Sequence, residues 1–252
     1  LYRASLLYKG IDILGSSRDS QVIAMDKVVM LMLTMSDNTA SLWLQSLAGG
    51  GEVINQWLEQ HGFVHLRVNS RTKGREANRQ EYGWGQTSPR EMATLMEMIY
   101  KGQVISRAAS DRMYRNLTRN YWDEQGVTQV PPNVRTASKN GAVDEARSEV
   151  VMVNAPHGDY VYCITTKNIQ DTSLKYDNEA WELFRRLGRT IWQHYVPAGK
   201  WKPDPHGAFS GTVNGTRSTL NEQISCSVKF IVFNDAVFNK RNQSKSNRYN
   251  HQ

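Results

Sequence analysis

The chain has 252 residues, 39 % of them hydrophobic, enough for one large core or two small ones. No uninterrupted apolar run is long enough to span a bilayer, and two cysteines, Cys163 and Cys226, are too few for a disulfide framework or a metal cluster. The net charge of +7 is uneven: residues 197–252 hold 8 Lys/Arg against 3 Asp/Glu, and the rest holds 23 against 21, so a basic tail follows a nearly neutral body.

Asp26 opens a run, Val28 to Leu33 and Met35, that is apolar on nearly every side. Such a helix is predicted to sit in the middle of a domain, and Asp26 suits its N-terminal dipole. Ser36-Asp37-Asn38 follows at once. A second helix is predicted over 39–47, ended by Gly49-Gly50-Gly51. Val53, Ile54, Trp57 and Leu58 give a short amphipathic helix. Residues 65–87 are polar, rich in Arg and Gly and without period, and predict a long loop. Ser88-Pro89-Arg90-Glu91 reads as a cap, a first-turn proline and a capping-box glutamate. Met92, Leu95, Met96 and Ile99 continue that helix to Gly102. Ser106 caps another, reaching about Leu117.

The pattern then turns to strands. Residues 134–143 carry Lys139-Asn140-Gly141, and the β-rich runs 150–153 and 160–164 are joined through a hairpin turn, Pro156-His157-Gly158-Asp159. Cys163 lies in an apolar run and reads as a buried thiol. Asn178 caps a last helix with Trp181, Phe184, Leu187, Ile191 and Trp192. Helices, antiparallel strands and a closing helix predict an α+β domain over 1–196. Residues 197–252 read as a basic Gly/Ser/Asn-rich appendage outside it, disordered in character, with one run, 230–233, that fits a strand. Its charges are scattered and few aromatics interleave them, so nucleic acid is not an expected partner. No histidine pair has zinc-ligand spacing, and no residue set asks for a metal or cofactor.

Acyl transfer by a serine enzyme needs a nucleophile, a proton shuttle, an oxyanion hole and groups that hold the substrate. Ser36, between two helices, is placed to show its hydroxyl to a cleft. Asn38 has an amide donor and acceptor for a substrate amide. Lys139 brings positive potential on a strand, and Gly141 lets a substrate backbone lie close. Each triplet alone has an ordinary reading: Ser-Asp-Asn is a helix cap, and Asn-Gly favours a hairpin turn. Their order, their separation of 103 positions and their settings make the pair informative.

With Met35-Ser-Asp-Asn-Thr-Ala40, Thr87-Ser-Pro-Arg-Glu-Met92, Ala137-Ser-Lys-Asn-Gly-Ala-Val143 and the Trp-rich last helix, residues 22–195 resemble the class A β-lactamase-type, penicillin-recognising serine hydrolases. The resemblance implies a β-lactamase/transpeptidase-like fold, a helical half beside an antiparallel sheet. It implies a periplasmic or secreted monomer acting on a β-lactam or a peptidoglycan-like peptide. Ser36 would relay a proton to the leaving nitrogen, and Lys139 would hold the substrate carboxylate and keep Ser36 able to donate. Asn38 would bind the substrate's side-chain amide, and Asp37 would be structural. Asn140 stands where the family has Thr or Ser. The Ala142 N–H would be half of the oxyanion hole. Arg147 is a candidate second carboxylate anchor, or a surface arginine.

The sequence departs from that family in one decisive respect. Only 35 residues precede Ser36, and none forms the Ser-x-x-Lys nucleophile pattern. The resemblance therefore implies an N-terminally truncated domain, without its first helix and first strands, that is inactive as it stands and prone to aggregate. Ser70-Arg71-Thr72-Lys73 matches the pattern in the wrong place, after Ser36 and outside an apolar helix, and reads as chance. No glutamate aligns with the family's deacylating one, since Glu76 and Glu81 lie too near Pro89. That leaves open a D-alanyl-D-alanine peptidase-like or esterase-like relative, and also a non-catalytic cell-wall or partner-binding domain.

Overall fold

The computed structural model describes residues 12–203 and the backbone of 225–232. Seven α-helices are described: α1 (Met25–Met30), α2 (Asn38–Leu47), α3 (Gly51–Gln60), α4 (Glu76–Tyr82), α5 (Pro89–Lys101), α6 (Arg107–Leu117) and α7 (Glu179–Tyr195). Two short strands, β1 (Arg67–Val68) and β2 (Gly85–Gln86), pair with each other. The main sheet is antiparallel, in the order β3 (Thr136–Val143), β4 (Ala146–Val153), β5 (Tyr160–Lys167) and β6 (Ser225–Val232).

Alternation along the central strands divides the core between the two faces of this sheet. Val151, Val153, Tyr160, Tyr162 and Ile164 pack against Trp181, Phe184, Ile191 and Trp192 of α7. Val150, Met152, Val161 and Cys163 face Ala93, Met96 and Ile99 of α5 and Leu117 of α6. Cys163 is fully buried, and burial pushes its thiol up to about 12. A third cluster joins Leu14 to Val28, Ala40 and Trp43.

The helix starts follow the sequence. Ser106 Oγ accepts from the Ala109 N–H at 3.1 Å, and Asn178 Oδ1 from Ala180 and Trp181. Ser88 Oγ accepts from the Glu91 N–H at 3.3 Å. Glu91 does not close a capping box, however. Its carboxylate reaches out of the helix to the N–H groups of Val64, His65 and Leu66, tying the end of α3 to the start of α5. Burial works against that charge, but the three N–H donors outweigh it and hold the carboxyl below its ordinary range.

Three other expectations are corrected. The segment 65–87 is not a plain loop. It holds α4, which buries none of its residues and so has no apolar stripe to betray it. The apolar run at 28–35 is not enclosed, because only Val28 and Thr34 are buried and its other residues are half-exposed. The tail also contributes to the sheet: β6 pairs along the whole of β5, so one strand comes from the segment that the sequence places outside the domain. The rest of the tail lies outside the described residues, apart from 197–203. Among the described residues, no helix is long and apolar enough to cross a membrane.

Candidate active site

Ser36 is set by a break in helical regularity. After Met30 the helix widens into one π-type turn, Leu31–Met35, and the Leu31 carbonyl receives the N–H of both Ser36 and Asp37. Single π-turns recur at functional sites. Thr34 Oγ1 bonds back to the Met30 carbonyl at 2.8 Å. Ser36 itself is left-handed, with φ 56° and ψ 35°, a conformation that costs a non-glycine residue about 1–2 kcal/mol.

Neighbouring groups hold that conformation in place. Asp37, buried, caps α2 by accepting the Ala40 N–H at 2.7 Å, and its other oxygen takes the Leu14 N–H at 3.1 Å. Asp12 accepts from the Asn38 and Thr39 N–H groups and from the Thr39 hydroxyl. From the far side, the Trp122 indole N–H donates to the Met35 carbonyl at 3.0 Å, and the Tyr121 N–H donates to the Thr34 carbonyl at 3.0 Å. Asn120 Nδ2 bonds Ser138 Oγ at 3.1 Å, one residue before Lys139. The loop 120–122 therefore grips both motif-bearing segments.

Lys139 lies on the α5/α6 face of the sheet, as its neighbour Ala137 and its cross-strand partner Val150 do. Its ammonium donates to Ser36 Oγ and, at 2.6 Å, to the Asn140 carbonyl. Burial alone pushes the amine down to about 8, because desolvation disfavours the charged form. A lysine that titrates there is still largely an ammonium at neutral pH, yet it gives up a proton far more readily than an exposed one.

The other predicted residues are placed unequally. Asn38 is the half-buried first residue of α2. Gly141 and Ala142 are exposed on β3, which is an edge strand among the described residues. A Cβ added at Gly141 would meet no atom within 4 Å, so this backbone has open space above it. Asn140 alternates to the opposite face from Lys139, opposite Glu149.

Arg147 is neither a surface residue nor available as a carboxylate anchor. It is 1 % exposed, and its guanidinium donates to the carbonyls of Val143, Asp144, Ala146, Thr172 and Ser173. Its cation also lies 5.6 Å from the Trp181 ring. It closes the β3–β4 turn. Ser70 is no nucleophile either: it is buried against Gln45, to which its hydroxyl donates at 2.8 Å, while Lys73 is exposed.

Asp12, Asn120 and Trp122 escaped the sequence reading. An aromatic pair directly after an asparagine in a polar loop is a faint signal, and nothing local marks Asp12. Glu149, also missed, is fully buried on β4. It accepts the Gly126 N–H at 2.9 Å, and its second oxygen has no hydrogen-bond partner. Burial raises it to about 7. Among the described residues, no group of His, Cys, Asp and Glu is arranged to hold a metal. A groove of about 590 Å³ between His61–His65 and Ser88–Thr94 shares no residue with this site.

Several solved structures share the fold. A PBP-A mutant described as an acyl-enzyme complex with penicillin G is 24 % identical, with a TM-score of 0.67 over 77 % of this chain and 70 % of that one. A β-lactamase from Burkholderia vietnamiensis is 19 % identical (TM-score 0.65, covering 79 % and 72 %). A β-lactamase from Sphaerobacter thermophilus is 22 % identical (TM-score 0.64, covering 77 % and 71 %). No curated protein matches the chain. A family model, described as the β-lactamase enzyme family, matches residues 1–195 and so takes in α1 to α7, Ser36 and Lys139 together. By that match the chain belongs to the β-lactamase enzyme family.

Proposed function

We propose that this site is the ligand-holding and proton-relay half of an acyl-transfer centre for β-lactam amides. The observation that carries the reading is the hydrogen bond from the Lys139 ammonium to the Ser36 hydroxyl. A lysine held near pH 8 beside a serine forms a relay. When an amide C–N bond breaks, Ser36 gives its proton to the departing nitrogen and regains one from Lys139. The same ammonium attracts the ligand's carboxylate. The open backbone at Gly141 and Ala142 lies alongside for the rest of the ligand. No Ser-x-x-Lys precedes Ser36 within these residues, so the 252-residue chain binds β-lactams without turning them over.

Calorimetry and absorbance with nitrocefin test this directly. Saturable binding without hydrolysis is expected, and it should weaken strongly in Lys139→Met. Absence of binding overturns the proposal. So does hydrolysis that survives both Ser36→Ala and Lys139→Met.

One observation favours a peptidase-like relative over a fast lactamase. Glu76 and Glu81 lie on the exposed helix α4, and the neighbouring buried positions are Ser70 and Thr72. No carboxylate there is placed to activate water. Where a serine nucleophile is supplied, a long-lived acyl-enzyme is expected by mass spectrometry. Rapid release would count against this reading. Export to the periplasm or cell surface goes with such ligands and belongs to the same proposal.

A further inference from the structure

Tyr121 and Trp122 are 58 % and 40 % exposed, and their rings meet edge to face with centroids 5.0 Å apart. A single exposed apolar side chain is ordinary on a protein surface. These two are fixed at several points. The Trp122 indole is bonded to the carbonyl of Met35, one peptide before Ser36. The Tyr121 backbone is bonded to the Thr34 carbonyl. Asn120 closes the loop on itself through the Trp122 carbonyl at 3.0 Å and the Trp122 N–H at 3.3 Å, and it reaches Ser138 beside Lys139. A clamp on the Met35 carbonyl needs only the indole N–H. It does not need a second ring, nor an exposed face on each. Rigid, amphipathic, half-exposed Tyr and Trp rings are what contact surfaces use, since little side-chain entropy is lost when a ligand stacks on them.

We propose that Tyr121 and Trp122 form an aromatic ledge beside the Ser36–Lys139 pair that receives a ring substituent of the ligand. The proposal rests on the β-lactam reading of that site and adds a selectivity to it: ligands with an aromatic side group bind more tightly than the bare bicyclic nucleus.

The test uses the full chain and two cephalosporins. Nitrocefin carries aromatic substituents, and 7-aminocephalosporanic acid carries none. Titration calorimetry on the wild type should show tighter binding of nitrocefin. Tyr121→Ala should cost nitrocefin about 2- to 10-fold in affinity, the range of one aromatic contact, and leave the bare nucleus unchanged. Trp122→Phe, which keeps a ring and loses the indole N–H, should retain most of the nitrocefin preference. Equal wild-type affinity for the two ligands overturns the ledge alone and leaves the β-lactam reading standing. Parallel loss of both ligands in Tyr121→Ala and Trp122→Phe also overturns it, since that is the pattern of a purely structural clamp. Failure of both ligands to bind the wild type removes the β-lactam reading, and the ledge falls with it.

Discussion

Lys139 donates to Ser36 across 103 positions of sequence, and it does so from a site whose burial lowers its own basicity. The interaction is maintained at a cost to the fold. The folded state binds its proton less tightly than the unfolded chain does, so stability rises as pH increases from about 8 toward the ordinary lysine range near 10.4. Lys139→Met removes a buried ammonium. It should raise the unfolding free energy measured in urea at pH 7, by on the order of 3 kcal/mol at most. That advantage should vanish above pH 10.5, where wild-type Lys139 is already neutral. A variant less stable than wild type at pH 7 contradicts the burial argument.

Glu149 shows the opposite dependence. Below pH 4.5 it is protonated in both folded and unfolded chains and costs nothing. Between pH 4.5 and about 7 the unfolded chain gives up this proton while the folded state keeps it, so stability falls across that window and levels off above it, where the folded state carries the buried charge. Tyr162 and Cys163 on β5, Asp123 in the loop before β3 and Arg185 on α7 are the charged or titratable groups that interact with it, and of these Arg185 favours its anion. Glu149→Gln keeps an acceptor for the Gly126 N–H and cannot ionise. Its melting temperature should exceed that of wild type at pH 8 and match it near pH 4.5. A constant difference across that range would show that Glu149 does not titrate there.

Glu91 accepts the backbone N–H groups of Val64, His65 and Leu66. Glu91→Ala should therefore cost about 2–4 kcal/mol in chemical denaturation, more than the loss of a helix-start residue would. Glu91→Gln, which retains one acceptor oxygen, should recover part of it. Hydrogen exchange should rise first at residues 64–66.

Asp37 ties α2 to Leu14 as well as capping it. Asp37→Asn keeps one acceptor and should cost about 1 kcal/mol, and Asp37→Ala about twice that. In both variants nitrocefin affinity should fall along with stability, because the left-handed Ser36 depends on the next residue staying in place. Unchanged affinity would separate Ser36 from its cap.

Much of the fold was legible because each long element advertises itself in its own residues. Pro89 and Ser88, Asn178 and the stripe from Trp181 to Trp192, and the β-branched runs of β4 and β5 are all local signals. The two motifs were legible because their chemistry is dense. Asp12, Asn120 and Trp122 were not, since each acts on a partner more than fifteen residues away and has no local pattern that requires it. Arg147 was misread for the same reason: an arginine beside a hairpin looks the same in sequence whether its guanidinium faces water or folds back onto five carbonyls. Helix α4 was hidden because it lacks the apolar stripe that periodicity detects.

The π-type turn ahead of Ser36 has a consequence for how this chain tolerates change. One surplus residue between Leu31 and Met35 sets the angle at which the hydroxyl leaves the helix axis. That residue is what lets the Leu31 carbonyl take the N–H groups of both Ser36 and Asp37. Deleting a single position in that turn would let the helix relax into its ordinary pitch, remove the bulge that seats the left-handed Ser36, and leave every chemical group present but out of alignment. Substitutions here are buffered by methionine and leucine, whereas changes of length are not.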